Sequence, residues 1–531
     1  MNYILILSAK KLNNSISNIK DLPSCLCPLG DRTILDCICE RYKNNNNRIK
    51  IIAYENYQMI LDYIANKSYG DCVYVLEKLG TLYDSIKCFF EKCCINTDDT
   101  LTIAFGDTII ENTDELNNVV YYSKIKNYSS RWTYFKHQNG KITDISDKKI
   151  DNPGYDDAFV GYFKISNPVL FMEIMNKAIN KDFYYVLAEY SKYQKFSFIE
   201  AINWIDVGHA DNYVESQMSV KTRTFNHIEI DKHRGILKKT STELDKFKGE
   251  IEWYLKLPKD ISYIAPRIFD YSTDYNDMYV EMECYGYNTI HDLFLYGNLE
   301  RSKWRKIFSN IHFIMLDMMK YKKKVTNTKK ILYNMYVKKT IDRLLLLRND
   351  RNFIDFFDDV IIVNGVKYPC LNDMISDMNA KFNKLFDEDI DFNIIHGDLC
   401  FANMLIDDKL NFVKLIDPRG KFDSLDIYGD YRYDVAKLFH SVDGKYDYII
   451  KDLFDIKRDG NNIIYNGKWP KCDAYVLDEL LLEFNDMIKN NINQIYFIES
   501  MLFFSMIPLH TENVNHQLAM LCTALLIYNR F

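Results

Sequence analysis

The feature that most constrains this chain is a set of polar residues placed between two short apolar segments. Residues 392–395 and 412–416 each have the length and composition of a buried strand. The polar residues are His396, Asp398, Asn403 and Asp417. Asn403 follows Asp398 by five positions and precedes Asp417 by fourteen. Because the full pattern is rare by chance, we expect these side chains to form one site.

These residue types match the needs of phosphoryl transfer. The reaction requires a carboxylate that takes the proton of the attacking hydroxyl, together with metal ligands that neutralise the triphosphate. Asp398 is the expected base, Asn403 a magnesium ligand through its amide oxygen, and Asp417 the carboxylate that bridges metal and phosphates. His396 is expected to brace the loop by hydrogen bonding. The competing interpretation is a polar turn followed by an aspartate that ends a strand.

The H-x-D-x-x-x-x-N pattern and the later aspartate resemble the aminoglycoside phosphotransferase and choline kinase family. The resemblance implies a bilobal protein-kinase-like fold, ATP and Mg²⁺ as cofactors, and a small hydroxylated substrate. It also implies a lysine that holds the α and β phosphates and a helix glutamate that fixes it. Lys239 and Glu250 have the order and separation of that pair. Lys238 stays an alternative, because adjacent strand residues point to opposite faces.

Further segments correspond to parts of the same family. Residues 280–286, which include Glu283, correspond to the hinge whose backbone meets the adenine, and a plain buried strand is the alternative interpretation. Asp434 corresponds to an aspartate that supports the catalytic loop. Residues 336–344 and 363–369 fall where the family has substrate-side helices and insertions. Their charges are equally consistent with a solvated surface.

The first 215 residues have a different organisation. Short apolar runs at residues 4–7, 49–53 and 101–105 alternate with longer mixed segments, which indicates βαβ units and a mostly parallel sheet. The opening strand, the loop after it and LPSCLCPLGDR resemble the sugar-nucleotide and phosphocholine-type nucleotidyltransferases. The resemblance identifies Asp107, in AFGDTI, and Asp206, in NWIDVGHADNY, as metal-binding aspartates.

This region also departs from the nucleotidyltransferase pattern. The loop glycines are replaced around Lys10 and Leu12, Asn14 stands near the expected arginine, and Ser24 follows Pro23 where the family has lysine. Glycine amides and basic side chains balance the phosphate charge, so turnover is expected to fall severely. Three interpretations stay open: a degenerate domain kept for packing or ligand sensing, an enzyme that uses other residues, or a resemblance of fold alone.

Composition narrows the classes of partner. A chain of 531 residues that is 47% hydrophobic and 27% charged is typical of a folded multidomain protein. The net charge of -7 provides no field that would gather nucleic acid or anionic membrane. The apolar runs at residues 3–7, 501–508 and 518–528 are too short for a signal peptide or a membrane span.

The cysteines indicate a reducing, cytoplasmic location. Eight of the thirteen precede residue 95, and no export signal accompanies them. Cys25, Cys27, Cys37 and Cys39 form two C-x-C pairs, which differ from the usual zinc spacing and have no histidine nearby. A zinc site there is therefore a minor alternative.

We therefore expect an α/β protein with a Rossmann-like nucleotidyltransferase domain over residues 1–217. This domain is followed by a kinase N-lobe over residues 218–290 and a helical C-lobe over residues 291–531. The expected activity is phosphorylation of a sugar or a choline-like alcohol, in glycan or head-group activation. The alternatives are a bifunctional enzyme that makes an NDP-linked donor and a non-catalytic binding or scaffold protein.

Overall fold

The computed structural model describes most of the chain in two compact units, Met1–Lys221 and Thr222–Phe531. The described residues are 1–9, 22–29, 32–42, 47–65, 67, 73–78, 80–112, 116–125, 129–149, 154, 157–179, 182–208, 226–231, 233–297, 299–469 and 473–531. The division lies close to the expected domain boundary at residues 217 and 218. The expected lobe border at residues 290 and 291 stays a prediction.

The first unit is built on a nine-stranded sheet. Its strands are β1 (Asn2–Ser8), β2 (Asn47–Ala53), β3 (Val73–Val75), β4 (Thr100–Phe105), β5 (Val119–Lys124), β6 (Thr133–Gln138), β7 (Lys141–Asp147), β8 (Asp157–Ile165) and β9 (Ser197–Glu200). The order is β7-β6-β8-β4-β1-β2-β3, and β5 pairs with both β8 and β9. Ile4, Leu5 and Ile6 are fully buried in β1 between parallel neighbours, which explains the continuous apolar run. The three predicted strands are confirmed.

The expectation of a mostly parallel sheet is wrong beyond β4. Strands β1 to β4 pair in parallel, whereas β8 joins β4, β5 and β6 antiparallel and β6 pairs antiparallel with β7. At the far side, β9 pairs with β5 in parallel. Asn139 and Gly140 connect β6 to β7, and both have positive φ angles, 52° and 81°. A two-residue turn of this kind closes a hairpin, so the strands it joins must run antiparallel.

In the described part of the first unit, five helices accompany this sheet. They are α1 (Ile34–Arg41), α2 (Tyr57–Ile64), α3 (Leu82–Lys92), α4 (Pro168–Lys177) and α5 (Phe183–Tyr193). Thr33 and Thr81 begin α1 and α3 with capping boxes, which satisfy the first free amides of each helix. Phe163 on β8, Phe171 on α4 and Leu187 on α5 are buried in one core that joins helices to sheet.

The second unit opens with a four-stranded antiparallel sheet. Its strands are β10 (Asn226–Asp231), β11 (Ile236–Ser241), β12 (Ile268–Ser272) and β13 (Tyr279–Glu283), in the order β10-β11-β13-β12. Helix α6 (Leu244–Lys256) follows β11 and buries Phe247, Ile251 and Trp253. The predicted strand, turn and helix are therefore confirmed, as is the strand that ends at Glu283.

Helices dominate the remainder of the second unit. They are α7 (Ile290–Tyr296), α8 (Arg301–Met319), α9 (Thr328–Tyr333), α10 (Lys339–Leu344), α11 (Leu371–Leu385), α12 (Tyr431–Val442), α13 (Tyr446–Ile450), α14 (Asp473–Glu483), α15 (Asn485–Ile488), α16 (Ile492–Met506) and α17 (Val514–Tyr528). Between them lie the short strands β14 (Ile361–Val363), β15 (Val366–Tyr368), β16 (Phe392–Ile394), β17 (Met404–Ile406), β18 (Val413–Leu415), β19 (Phe454–Asp459) and β20 (Asn462–Gly467). Strands β16 and β18 confirm the two strands predicted on either side of the polar pattern.

One segment of the described chain, Ile492–Leu509, is long and apolar enough to cross a membrane by length and composition. The expectation that this apolar region is too short is wrong, because α16 begins before the run at residues 501–508. Within the protein 61% of the segment is buried, and α16 packs against α12 and α17. Core helices of this kind pass the same test of length and composition.

Candidate functional site

Lys239 is the centre of a buried ion-pair triad in the second unit. It lies on β11 and is 4% exposed. Its Nζ lies 2.8 and 2.9 Å from the carboxylate oxygens of Glu250 on α6, and 2.8 Å from Oδ1 of Asp417. Although burial opposes the charge, Asp417 and Glu250 raise the pKa of Lys239. The lysine is therefore a fixed cation held by two acids from separate segments.

Lys238 faces away from this triad. Its Nζ lies 3.8 Å from Oε1 of Glu281 and 4.1 Å from the centre of the Tyr279 ring, both on the neighbouring strand β13. Strand alternation places successive side chains on opposite faces. Of the two lysines that the sequence left open, the structure brings Lys239 to Glu250 and Asp417.

His396 braces the loop that follows β16. Its ring is buried, Nε2 lies 3.0 Å from the carbonyl oxygen of Ile416, and the amide of Asp398 donates to Nδ1 at 3.3 Å. This pattern requires the proton on Nε2, since Nδ1 accepts. Burial lowers the pKa of His396 to about 4, so the imidazole is neutral near pH 7. The ring therefore links Ile416 to Asp398 across the loop.

Asp434 holds the same loop from α12. Its buried carboxylate accepts hydrogen bonds from the amide nitrogens of His396, at 2.7 Å, and Gly397, at 2.8 Å. Burial raises the pKa of Asp434 to about 7, and the two amide hydrogen bonds limit the rise. The backbone before Asp398 is thus fixed by a side chain some forty positions away in the sequence.

Asn403 leaves one buried oxygen free for a ligand. Its Nδ2 donates to the carbonyl oxygen of Asp398 at 2.9 Å and to Oδ2 of Asp398 at 3.2 Å. Its Oδ1 is buried and has no hydrogen-bond partner among the described residues. Buried acceptors are rarely left unsatisfied, and amide and carboxylate oxygens are the donors that Mg²⁺ prefers. Asn403 and Asp417 therefore fit a magnesium site.

Asp417 lies on a strained loop directly beside α6. It has a positive φ of 55°, and its amide donates to the hydroxyl of Tyr254 at 3.1 Å. Gly420, at φ +64°, approaches so closely that a Cβ there would lie 1.8 Å from the carbonyl oxygen of Gly249. The helix that carries Glu250 and the loop that carries Asp417 are thus in backbone contact.

Lys437 is a site residue that the sequence reasoning missed. Its Nζ lies 2.8 Å from Oδ1 of Asp398. It follows Asp434 by three positions on α12, and residues spaced in this way share a helix face. That spacing was the available signal, because a helix that supports the loop with Asp434 also presents Lys437 to it.

Glu283 is engaged within its own sheet. Its carboxylate accepts hydrogen bonds from the amide of Arg267 at 3.1 Å and from the hydroxyl of Tyr285. Its amide and that of Cys284 donate to the carbonyl oxygens of Arg267 and Gly235. The side chain therefore fixes the turn after β13 and is not placed with the Lys239 triad.

In the first unit, Asp107 and Asp206 are brought together. The residues around them form a two-stranded antiparallel pair, in which Thr108 lies opposite Asp206. A Cβ on Gly208 would lie 2.8 Å from Oδ2 of Asp107 and 3.1 Å from Oδ1 of Asp206. Trp132 Nε1 donates to the other oxygen of Asp206 at 2.9 Å. One oxygen of each carboxylate thus faces the same position beside Gly208, and this arrangement suits a divalent cation.

The loop substitutions of the first unit fall mostly outside the described residues. Lys10, Leu12 and Asn14 are not among them. Ser24 is buried, and its hydroxyl lies 3.4 Å from that of Ser8 at the end of β1. A small neutral hydroxyl therefore occupies the position where the family has lysine.

The cysteine pairs do not form a zinc site in the described part of the chain. Cys25, Cys27 and Cys39 are buried and Cys37 is half-buried, and none of the four is in a disulfide. Burial raises the pKa of Cys25 to about 12 and that of Cys39 even further, which disfavours the thiolate that zinc requires.

Among the described residues, one group of side chains in the second unit has the composition of a metal site. His510, Glu512 and His516 have donor atoms within 4.8 Å of one another. His510 Nδ1 lies 2.9 Å from Glu512 Oε1, and His516 Nε2 lies 2.7 Å from Oδ1 of Asp452. These hydrogen bonds account for the proximity without an ion.

The topology defines the first unit as a mixed α/β fold with a Rossmann-like parallel core. Over this N-terminal part the chain is similar to solved sugar-nucleotidyltransferase structures. A UDP-glucose pyrophosphorylase complexed with UDP-glucose has 14% identity and a TM-score of 0.33, with 41% of this chain and 98% of that chain covered. HddC from Yersinia pseudotuberculosis has 14% identity and a TM-score of 0.33, with 41% and 99% covered. The inositol-1-phosphate CTP transferase from T. maritima has 16% identity and a TM-score of 0.33, with 41% and 96% covered.

No protein-family model matches the chain, and no curated protein sequence matches it.

Proposed function

We propose that residues 222–531 form a bilobal, protein-kinase-like enzyme that phosphorylates a small hydroxylated molecule with ATP and Mg²⁺. The observation that carries the proposal is the contact of Lys239 with both Glu250 and Asp417, the latter 178 positions away. A polar turn that only ends a strand does not explain a buried lysine shared by two acids. The triad supplies the cation and the carboxylate that a nucleotide triphosphate with its metal requires.

The residues divide the work of phosphoryl transfer. Asp398 accepts the proton of the acceptor hydroxyl while that oxygen forms a bond to the γ-phosphorus. The bond from the γ-phosphorus to the βγ-bridging oxygen breaks, and ADP leaves with its electron pair. Lys239 holds the α and β phosphates and Glu250 fixes Lys239. Asn403 and Asp417 would hold Mg²⁺, which would supply positive charge against the triphosphate.

Nucleotidyltransferase activity of the first unit is a second candidate, supported by the approach of Asp107 and Asp206. A carboxylate pair of this kind suits a magnesium-bound nucleotide. Together the two activities have a chemical logic, because a kinase makes a phosphorylated metabolite that a nucleotidyltransferase converts into an NDP-linked donor. A cytoplasmic location, where both substrates are supplied, is part of this proposal.

A metabolite screen with two readouts tests both candidates. ADP and pyrophosphate are measured for the wild type, Asp398→Asn and Asp107→Asn with ATP, each further nucleoside triphosphate, and a library of sugars and alcohols. We expect Asp107→Asn to retain ADP formation and to lose pyrophosphate formation. Asp398→Asn should lose both products from sugars and alcohols, because no phosphorylated metabolite is then made, and it should still release pyrophosphate when phosphorylated sugars are supplied. If neither product forms and Mg·ATP leaves Tm unchanged, the chain is a binding or scaffold protein and the proposal is wrong.

A further inference from the structure

Three cationic side chains lie beside the loop that carries Asp398, and none of them forms an ion pair with the residues that the structure describes. Lys339 and Arg343 are four positions apart on α10, and Arg419 follows Asp417 by two positions. We call them the basic cluster. All three are half-buried, and among the described residues none has a carboxylate oxygen within 4.0 Å.

The basic cluster converges on one small cleft. Arg419 Nη1 donates to the hydroxyl of Tyr433 at 3.0 Å, and Arg343 Nη1 donates to the carbonyl oxygen of Ser505 at 3.2 Å. Tyr433, Ser505 and Lys339 line this cleft together with Tyr336, Thr340 and apolar side chains of α16. Each cation is therefore in the cleft wall or hydrogen-bonded to it, and the two hydrogen-bond partners, Tyr433 and Ser505, are neutral.

The cleft adjoins the catalytic loop. The amide of Arg419 donates to the carbonyl oxygen of His396 at 3.0 Å, and Arg419 Cβ stands 2.9 Å from the position of a Cβ on Gly397. Burial, followed by the charges of Arg419 and Arg343, lowers the pKa of Lys339 well below its usual value. The cations are thus close enough to repel one another.

The neighbouring acids are occupied elsewhere. Asp342 lies 2.6 Å from Lys338, and Asp430 lies 2.8 Å from Arg432. Asp398 neutralises Lys437 at 2.8 Å. Gathering three partly desolvated cations is unfavourable, as the lowered pKa of Lys339 reflects, and a bound anion offsets the repulsion between them. Guanidinium groups match phosphate and carboxylate oxygens in geometry as well as in charge.

We propose that the basic cluster recognises the acceptor, and that the acceptor carries a phosphate or carboxylate group in addition to the hydroxyl that is phosphorylated. This inference rests on the proposed kinase function. The positive charge of the basic cluster favours a sugar phosphate or a hydroxy acid as the acceptor and repels a choline-like cation. The anionic group docks on the cluster, and the hydroxyl is thereby presented to Asp398.

Anion binding is tested without catalysis. Inorganic phosphate at 1–20 mM is titrated against sodium chloride of equal ionic strength, and Tm is followed for the wild type, Arg343→Gln, Lys339→Gln and the exposed control Arg351→Gln. We expect phosphate to raise the Tm of the wild type and of Arg351→Gln by about 2–4 °C, and to have no specific effect on the other two. A phosphate-specific shift of equal size in all four proteins would overturn the inference. Because each shift is measured within one variant, a lower starting Tm does not obscure it.

Acceptor choice is tested with matched pairs. ADP formation is compared for hexoses against hexose phosphates, glycerol against glycerate, and choline and ethanolamine. We expect the anionic member to be preferred, and Arg343→Gln to raise its KM at least 10-fold while the KM for ATP is unchanged. Equal use of neutral, cationic and anionic acceptors would overturn the inference. If none of these acceptors supports ADP formation, while the phosphate-induced rise in Tm is lost in Arg343→Gln, the kinase assignment is refuted and the anion site is supported.

Discussion

The ammonium group of Lys437 lies 2.8 Å from Oδ1 of Asp398. Although burial opposes the charge of this lysine, Asp398 raises the pKa of Lys437, so the lysine stays charged. The same helix, α12, holds the backbone before Asp398 through Asp434. One helix therefore fixes both the position and the charge state of the proposed base.

Removal of this cation should impair the base without affecting nucleotide binding. We expect Lys437→Met to lower kcat for ADP formation by about 10- to 100-fold and to raise the apparent pKa of the acidic limb of the rate profile, since Asp398 loses a neighbouring positive charge. The measurement is kcat from pH 5 to 9, with exposed Lys421→Met as the control. Superimposable profiles for Lys437→Met and the wild type would refute the role.

The two adjacent lysines of β11 offer a matched comparison. Lys239→Met should lower kcat/KM for ATP by at least about 100-fold, because the phosphates lose their cation and Glu250 is left buried without its partner. Lys238→Met, on the opposite face, should stay within twofold of the wild type. Steady-state kinetics and the Tm shift with Mg·ATP measure both effects. Equal losses in the two variants would contradict the assignment of faces.

The orphaned oxygen of Asn403 predicts a magnesium defect. Asn403→Ala should raise the Mg²⁺ concentration needed for half of the ATP-induced Tm shift by about 10-fold, because one metal ligand is lost. Asn529→Ala, an exposed asparagine near the end of α17, is the control. An unchanged Mg²⁺ requirement in Asn403→Ala would remove this residue from the metal site.

The carboxylate pair of the first unit predicts a metal-dependent stability. In chelator, Asp107→Asn should raise the Tm by about 1–3 °C, because the repulsion between Asp107 and Asp206 is relieved. Added Mg²⁺ should raise the Tm of the wild type and of the exposed control Asp98→Asn, but not that of Asp107→Asn. The same response to Mg²⁺ in all three proteins would exclude a site at this pair.

The buried imidazole of His396 predicts a loss of stability in acid. Its pKa is about 4 in the folded protein and about 6.5 in the unfolded chain. Between these values the unfolded chain takes up a proton that the folded protein does not, so the free energy of unfolding falls as pH falls. The decrease in the free energy of unfolding that His396 contributes approaches about 1.4 kcal/mol per pH unit between pH 6 and 4.5.

Urea unfolding at pH 7.5, 6 and 5 measures this effect. The advantage of the wild type over His396→Leu should shrink in acid, whereas its difference from exposed His233→Leu should not change. The pKa of Asp434 is raised, and its contribution therefore has the opposite sign over this range. That contribution is common to all three proteins, so it cancels in the comparison. A constant advantage of the wild type over His396→Leu would contradict the buried neutral imidazole.

Local signals were sufficient for several parts of the fold. The apolar runs predicted β1, β2, β4, β16 and β18, and alternation followed by helical spacing predicted β11 and α6. The Asn139-Gly140 pair was also a local signal, because it is typical of a hairpin between antiparallel strands. The prediction of βαβ units did not take this pair into account and therefore missed the antiparallel strands of the sheet.

The sequence by itself determined which chemical groups the protein carries and the order in which they occur. The spacing of Asp398 and Asn403 is set within one loop, so it can be read directly from the chain. Only the tertiary structure decided that Lys239 rather than Lys238 meets Glu250, because the pairing of β11 with β13 sets which face each side chain takes. It alone joined Lys437 to Asp398 and gathered Lys339, Arg343 and Arg419 at one cleft. Side chains that are distant in sequence become neighbours only when helices and loops pack, and packing depends on the whole core rather than on any local pattern.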